Sequence, residues 1–221
     1  MARLYHVPLS PFCRKVRLVL AEKRVDVELV EERYWEPTPD FLQRNPAAKV
    51  PVLKINGLIM SESQAICEYL DATWSDPPLV PRAPDAAYEV RRLCHFFDDT
   101  FHREVTANIL YERVNKKITG AGYPDSRNVK MGLKAIRRHL GYVESLLDER
   151  RWLAGDSLTL ADFAAAGHIS SLDYISDVDW NAFPALRDWY ARIKSRPAFR
   201  NILADQVPGF RPSPQYADLD F

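Results

Sequence analysis

Two short polar motifs, each at the start of a predicted helix, could do chemistry. Ser10 directly precedes Pro11, and proline is favoured at the first position of a helix. A hydroxyl at this place can cap the helix, or it can donate a hydrogen bond to an anion such as a thiolate, which the helix dipole also stabilises. Glu62 and Ser63 open a second helix, whose first N–H groups could face a carboxylate. Simple helix capping is the alternative explanation for both motifs.

A proline in a strand-like segment precedes the second motif. Pro51 lies in the apolar run 49–55, yet proline has no backbone N–H and is rare in a central strand unless the backbone there has another use. Asn56-Gly57 then predicts a tight hairpin turn, and a second apolar run leads to Glu62. This context favours a ligand site over simple capping at Glu62 and Ser63.

A third polar group has the spacing of metal ligands on one helix. His95, Asp98, Asp99 and His102 are separated by three and four residues, so they share a helical face. Imidazole and carboxylate groups bind divalent ions. No second helix offers complementary ligands, so the sequence favours hydrogen-bonded polar groups at a domain or dimer face over a metal site.

The helix predicted at 128–150 has an unusual charge order. Its first half, together with the residue just before it, carries what we call the basic stripe, namely Arg127, Lys130, Lys134, Arg137 and Arg138. Acidic residues of this helix come only in the second half, from Glu144 onwards. The helix dipole favours the opposite order, at roughly a few tenths of a kcal/mol per charge. The stripe therefore predicts an acidic partner surface, with an ordinary solvated face as the alternative.

Composition limits the class of protein. The chain has 221 residues, is 47% hydrophobic, and has no apolar run long enough to span a membrane, so we expect a soluble protein of one or two domains. We find no secretory signal, and three cysteines cannot build a disulfide framework, which is typical of the cytoplasm. A formal net charge of zero argues against nucleic acid as a partner.

The pattern of elements predicts two domains that position these residues. Residues 1–76 follow the order β-α-β-α-β-β-α and predict an α/β domain. Residues 77–84 are rich in proline and predict a semi-rigid linker. Residues 85–206 have helical periodicity throughout and predict an all-α domain, which begins with one long or broken helix. Residues 207–221 have too little apolar content for a core, so we expect a disordered or loosely docked tail.

The second domain also contains a helix-start signal that suggests a family. Thr159 and Asp162 have the spacing of a capping box. With this signal, the chain resembles the glutathione S-transferase superfamily. The other segments that carry the resemblance are Ser10 to Val16, Asn45-Pro46, Val50-Pro51 and Glu62-Ser63. The resemblance implies a thioredoxin-like α/β N-terminal domain with a cis-proline at position 51, and an all-α C-terminal domain.

The resemblance also implies a glutathione site. The tripeptide would lie across Lys49, Val50, Pro51, Glu62 and Ser63. Ser10 would lower the pKa of its thiol, as in serine-type members, unless it only caps the helix. Lys49 or an arginine near Arg33 is expected to face the glycine carboxylate, and the loop from Trp35 to Pro39 is expected to border that end. Because redox members have cysteine in place of Ser10, Cys13 lacks a partner and dithiol exchange is not expected.

Within the superfamily, the chain resembles a branch of alphaproteobacterial cell-division proteins. The segments 10–20, 45–53, 120–138 and 218–221 carry this resemblance. It implies a cytoplasmic homodimer that binds FtsZ filaments at the division site and helps to organise constriction, with no cofactor and a vestigial Ser10 site. The partner would contact the basic stripe, Trp35, Asp218, Asp220 and Phe221. The alternative is a transferase that conjugates glutathione to a small electrophile, with Ser10 as thiol activator.

Overall fold

The first domain is built on a four-stranded mixed sheet in the order β2-β1-β3-β4. A computed structural model describes residues 2–219. The strands are β1 (Ala2–His6), β2 (Val27–Glu31), β3 (Val52–Ile55) and β4 (Leu58–Ser61). β1 runs parallel to β2 and antiparallel to β3, with Leu4 opposite both Leu29 and Leu53. Because parallel neighbours need a crossover connection, a helix must link β1 to β2.

Three helices complete this domain. They are α1 (Pro11–Glu22), which makes the crossover, α2 (Pro39–Arg44) and α3 (Ser63–Thr73). The predicted order of elements is confirmed. The Val50–Pro51 peptide bond is cis, as the family resemblance implied.

A continuous helical rod from residue 84 to residue 119 begins the second domain. It consists of α4 (Pro84–His95), a π-helical segment (Phe96–Thr106), α5 (Ala107–Leu110), a second π-helical segment (Tyr111–Asn115) and α6 (Lys116–Thr119). Turns of a π-helix are wider than α turns, and π segments are often found at functional sites.

Four further α-helices follow the rod. They are α7 (Ser126–Glu149), α8 (Leu160–Tyr174), α9 (Pro184–Lys194) and α10 (Arg200–Leu203). α8 is buried along its whole length and packs against α1. A Cβ on Gly167 would lie 2.5 Å from the carbonyl oxygen of Pro11, so glycine permits this close approach of the two domains. In residues 2–219, every helix is too short or too polar to cross a membrane.

The predicted capping box organises the start of α8. Asp162 Oδ2 accepts the backbone N–H of Thr159 at 2.8 Å and its hydroxyl at 3.0 Å. The other oxygen, Oδ1, accepts the backbone N–H of Leu153 at 3.0 Å and the indole N–H of Trp189 at 2.9 Å. Burial raises the pKa of Asp162 above its ordinary value, although these hydrogen bonds oppose the shift. The carboxylate therefore ties together three elements of the second domain.

The linker between the domains is docked onto the first domain. Asp71 forms an ion pair with Lys23 at 2.6 Å and accepts the backbone N–H of Leu79 at 2.8 Å. The side chain of Leu79 is buried. α4 begins at Pro84, the last residue assigned to the linker from sequence.

The prediction of a disordered or loosely docked tail is wrong for residues 207–216. Tyr216 is completely buried, and its hydroxyl donates to the carbonyl of Ile202 at 2.9 Å. Its ring lies 5.1 Å from that of Tyr174 and 5.7 Å from the guanidinium carbon of Arg14. The composition of the tail did not indicate that it docks onto the domain, because a few apolar side chains suffice to fill a gap between other elements. Asp218 is exposed, whereas Asp220 and Phe221 lie outside the described residues.

Candidate functional site: an interdomain cleft and the basic stripe

A cleft of about 730 Å³ lies between the two domains. Its volume is within the usual range for small-molecule sites. Six residues singled out from sequence line its first-domain side, namely Ser10, Lys49, Val50, Pro51, Glu62 and Ser63. They come from three separate segments, which meet because the β3–β4 hairpin places the start of α3 beside the start of α1.

Ser10 caps α1 and also faces the cleft. Its Oγ accepts the backbone N–H of Cys13 at 3.4 Å, which leaves the hydroxyl hydrogen available to a ligand. The two sequence interpretations of Ser10 are therefore compatible. Cys13 is fully buried, and burial raises the pKa of its thiol to about 11. A protonated, inaccessible thiol is a poor nucleophile, in keeping with the expectation of no dithiol exchange.

Glu62 adopts a backbone conformation that capping does not explain. Its φ is 67°, in the left-handed region that non-glycine residues rarely adopt, at a cost of about 1–3 kcal/mol. Its side chain makes no capping hydrogen bond to α3 and is exposed at the cleft, while Ser63 is buried. Strained residues of this kind cluster at ligand sites, so the geometry favours ligand binding here.

Only some of the residues expected near the glycine carboxylate of glutathione line the cleft. Lys49 lines the cleft, whereas Arg33 lies outside it and pairs with Glu36 at 2.9 Å. Trp35 does not line the cleft either, but its neighbour Tyr34 does. The hydroxyl of Tyr34 accepts a hydrogen bond from Asn115 at 3.3 Å, across the domain boundary. Sequence analysis missed Tyr34, whose only signal was its place in an aromatic loop.

The helical rod supplies the second-domain wall of the cleft. Polar side chains on one face of the rod line it, namely Arg91, His95, Asp98, His102, Thr106 and Asn115. Asp99 instead pairs with Arg103 at 3.0 Å. Residues 2–219 contain no group of three or more ligands placed to hold a metal ion. The arrangement agrees with the predicted polar face between domains.

A buried polar network lies behind this wall. Lys15, almost fully buried, forms an ion pair with Asp98 across the domain boundary. Burial opposes ionisation of Asp98, but His168, whose Nε2 lies 3.9 Å from the carboxylate, and the charge of Lys15 hold its pKa below the ordinary value. The pKa of His102 is lowered to about 4, mainly by burial. His102 is therefore neutral near pH 7 and presents a hydrogen-bonding group rather than a cation.

The basic stripe lies on the exposed side of α7. All five of its side chains are exposed. Arg138 pairs with Glu104, which also lies 2.9 Å from Nε2 of His139. The other four members form no ion pair with any residue between 2 and 219. The fold therefore makes little use of these four charges.

Contacts with neighbouring helices explain part of the unusual charge order in α7. Glu112 lies beneath the start of α7, where it accepts the backbone N–H of Asp125 at 2.7 Å and the side-chain amide of Asn128 at 2.9 Å. Glu144 accepts the first N–H groups of α9, at 2.9 Å from Ala185 and at 2.7 Å from Leu186. Glu112 of the rod thus places a carboxylate at the start of α7, and Glu144 of α7 places one at the start of α9.

Each of the two domains matches a known family model. Residues 4–78 match the model of the glutathione S-transferase N-terminal domain, and residues 93–192 match the model of the C-terminal domain. The chain belongs to the glutathione S-transferase family. Its sheet order, cis-proline and helical second domain all agree with that assignment.

Full-length relatives of this transferase-family chain have names of two kinds. It is 46% identical to FtsZ-localized protein A of Caulobacter vibrioides, over 99% of this chain and 97% of that protein. The solved structure of FzlA from C. crescentus matches it with a TM-score of 0.96 and 46% identity, covering 100% and 99% of the two chains. A glutathione S-transferase from Rhodospirillum rubrum matches with a TM-score of 0.97 and 47% identity, covering 100% of both. The resemblance inferred from sequence is confirmed.

Proposed function

We propose that this protein binds FtsZ filaments at the division site and helps to organise constriction, as a cytoplasmic homodimer and without transferase turnover. The observation that carries the proposal is the full-length similarity to FtsZ-localized protein A, at 46% identity. The unpaired cations of the basic stripe support it, because they suit an acidic protein surface and contribute little to the fold.

The proposed contact residues lie on several parts of the surface. The basic stripe is exposed on α7, Trp35 is half-buried beside the cleft, and Asp218 is exposed. Asp220 and Phe221, also proposed as contacts, lie outside the described residues. Deletion of residues 219–221 should weaken filament binding without lowering the melting temperature, because Tyr216 and the Asp218 carbonyl that accepts Lys194 Nζ would remain in place.

Exposed apolar side chains support the homodimer. Leu58 and Ile59 at the β3–β4 turn are each 48% exposed, and Tyr88 on α4 is 67% exposed. Contiguous exposed apolar surface is typical of protein–protein contacts, and Leu58 and Ile59 are adjacent in sequence. Light scattering after size-exclusion chromatography should give twice the chain mass, and a monomer mass would contradict the dimer.

The second candidate function is glutathione conjugation, and the cleft favours it. The cleft retains all six first-domain residues expected around glutathione, including Ser10 with a free hydroxyl hydrogen. Glutathione would bind as a substrate, and Ser10 would donate a hydrogen bond that stabilises its thiolate. The thiolate sulfur would then attack an electrophile held against the second-domain wall.

Co-sedimentation with GTP-assembled FtsZ, with and without millimolar glutathione, separates the two functions. We expect the wild type and Ser10→Ala to sediment with the filaments equally, whether or not glutathione is present. Absence of sedimentation would reject filament binding. Conjugation measured on a panel of electrophiles, and its loss in Ser10→Ala, would then establish the transferase.

A further inference from the structure

A second depression, which we call the α7 groove, lies between α7 and the segment that follows α8. It separates the middle of α7 from the segment 176–183 and has a volume of about 640 Å³. Its apolar lining consists of Leu133, Ile136, Leu140, Val178 and Phe183. The groove shares no lining residue with the interdomain cleft.

Only two members of the basic stripe line this groove. Lys134 and Arg137 stand on its α7 wall, and both are exposed and unpaired among residues 2–219. Arg127 and Lys130 lie earlier on the helix and do not line it. Arg138 does not line it either and pairs with Glu104. The stripe is therefore not a uniform surface, since two of its charges adjoin an apolar floor.

The far wall of the groove contains a buried carboxylate with one unused oxygen. The side chain of Asp177 is only 5% exposed, and its Oδ1 pairs with Arg113 at 2.8 Å. Its Oδ2 is buried and has no hydrogen-bond partner among the described residues. A buried acceptor without a partner is costly, so Oδ2 favours a ligand that brings an N–H donor into the groove.

These three features fit an extended peptide. Its carboxylates would pair with Lys134 and Arg137, an apolar side chain would cover Leu133 and Phe183, and a backbone N–H would reach Asp177. We propose that the α7 groove binds an acidic linear segment of the protein partner, with carboxylates on either side of an apolar residue. This inference rests on the proposed function, in which the FtsZ filament supplies that segment. Asp179, exposed on the far wall, directs the acidic side chains towards α7 by repulsion.

Two double variants test the groove against a diffuse electrostatic attraction. Lys134→Glu/Arg137→Glu reverses the groove cations, and Arg82→Glu/Arg200→Glu makes the same change in net charge at two exposed cations that lie outside the basic stripe and line neither the groove nor the cleft. We expect the FtsZ concentration for half-maximal co-sedimentation to rise at least about tenfold for the groove pair and at most about twofold for the control pair. An equal rise of this concentration in the two variants would overturn the groove proposal. Melting temperatures verify that both variants are folded.

Asp179→Lys tests the same proposal by gain of binding. Removing the repulsive carboxylate and adding a cation should lower the half-maximal concentration about threefold or more. Weaker binding than wild type would contradict an acidic occupant.

A synthetic probe makes failure of the groove distinguishable from failure of FtsZ binding. A short fluorescein-labelled peptide of alternating Asp and Leu should raise its anisotropy with wild type and with the control pair, but not with Lys134→Glu/Arg137→Glu. If the peptide behaves in this way while the wild type fails to sediment with FtsZ, the proposed function fails and the groove stands. If the wild type and all variants sediment equally with FtsZ filaments and the peptide does not bind, only the groove proposal fails.

Discussion

α1 and α7 both carry rows of basic residues, yet the fold uses only one of the rows. On α1, Arg14, Lys15 and Arg17 are buried, with side chains at most 4% exposed. On α7, all five members of the basic stripe are exposed, and only Arg138 has a carboxylate partner among residues 2–219. A similar sequence pattern therefore has a structural use in one helix and a free surface in the other.

The difference follows from the free energy of burying charge. A buried cation without a partner is strongly unfavourable, so each one on α1 contacts a carboxylate of the second domain. Arg14 and Arg17 share Asp205, and Lys15 pairs with Asp98. An exposed cation keeps its water and needs no partner. The α1 cations hold the two domains together, whereas the α7 cations remain available to another molecule.

The largest effect is expected when the α1 cations lose their shared partner. Asp205→Ala should lower the free energy of unfolding by about 3–5 kcal/mol, because it leaves two guanidinium groups buried without a carboxylate. Urea unfolding followed by circular dichroism at pH 7 measures this. Asp99→Ala is the matched control, since it removes the partner of Arg103, an exposed cation of the helical rod, and should change stability little. Equal losses of unfolding free energy in the two variants would contradict the contrast between buried and exposed cations.

A slightly smaller effect is expected from the side chain that covers Arg14. Tyr216 is fully buried against Arg14 and Tyr174, so Tyr216→Ala should lower the free energy of unfolding by about 3 kcal/mol. Tyr123, which is 93% exposed, provides the control, and Tyr123→Ala should melt like the wild type. If Tyr216→Ala also melted like the wild type, the tail would not be part of the core.

A pH-dependent effect is expected at the start of α7. Hydrogen bonds from Asn128 and Lys116 lower the pKa of Glu112 from 4.5 to about 2. Because the folded pKa lies below the unfolded one, Glu112 stabilises the fold above about pH 4.5, and this contribution is lost as the pH falls towards 2. Glu112→Gln should cost about 1–2 kcal/mol at pH 7, and the difference from wild type should shrink over that window. A pH-independent difference in urea unfolding would rule out this origin.

The smallest effect should have the opposite sign. Arg127 is the second residue of α7, where the helix dipole favours an acid. Arg127→Glu should therefore stabilise the protein by about 0.5 kcal/mol, with Arg127→Gln intermediate, as measured by thermal unfolding. Destabilisation by Arg127→Glu would show that the fold does use the basic stripe, and the contrast with α1 would no longer hold.

The first-domain side of the cleft was predictable because its signals are local. Proline at the start of α1, the Asn56-Gly57 turn and the polar residues at the start of α3 each act through neighbours in sequence. The capping box at Thr159 and Asp162 was predictable for the same reason. Tyr34 was missed because its place in the cleft depends on Asn115, which lies 81 residues away.

The order of elements, the two domains and the family could be inferred from the sequence, because capping, proline placement and hydrophobic periodicity are local properties of the chain. Packing in the folded chain, by contrast, set which charges are buried. Arg14 and Asp205 are 191 residues apart, and no sequence pattern near either residue predicts that they form an ion pair. It also decided that the tail belongs to the core and that Lys134 and Arg137 adjoin an apolar groove. Burial depends on which distant elements pack together, so patterns of charge alone could not separate the two basic helices.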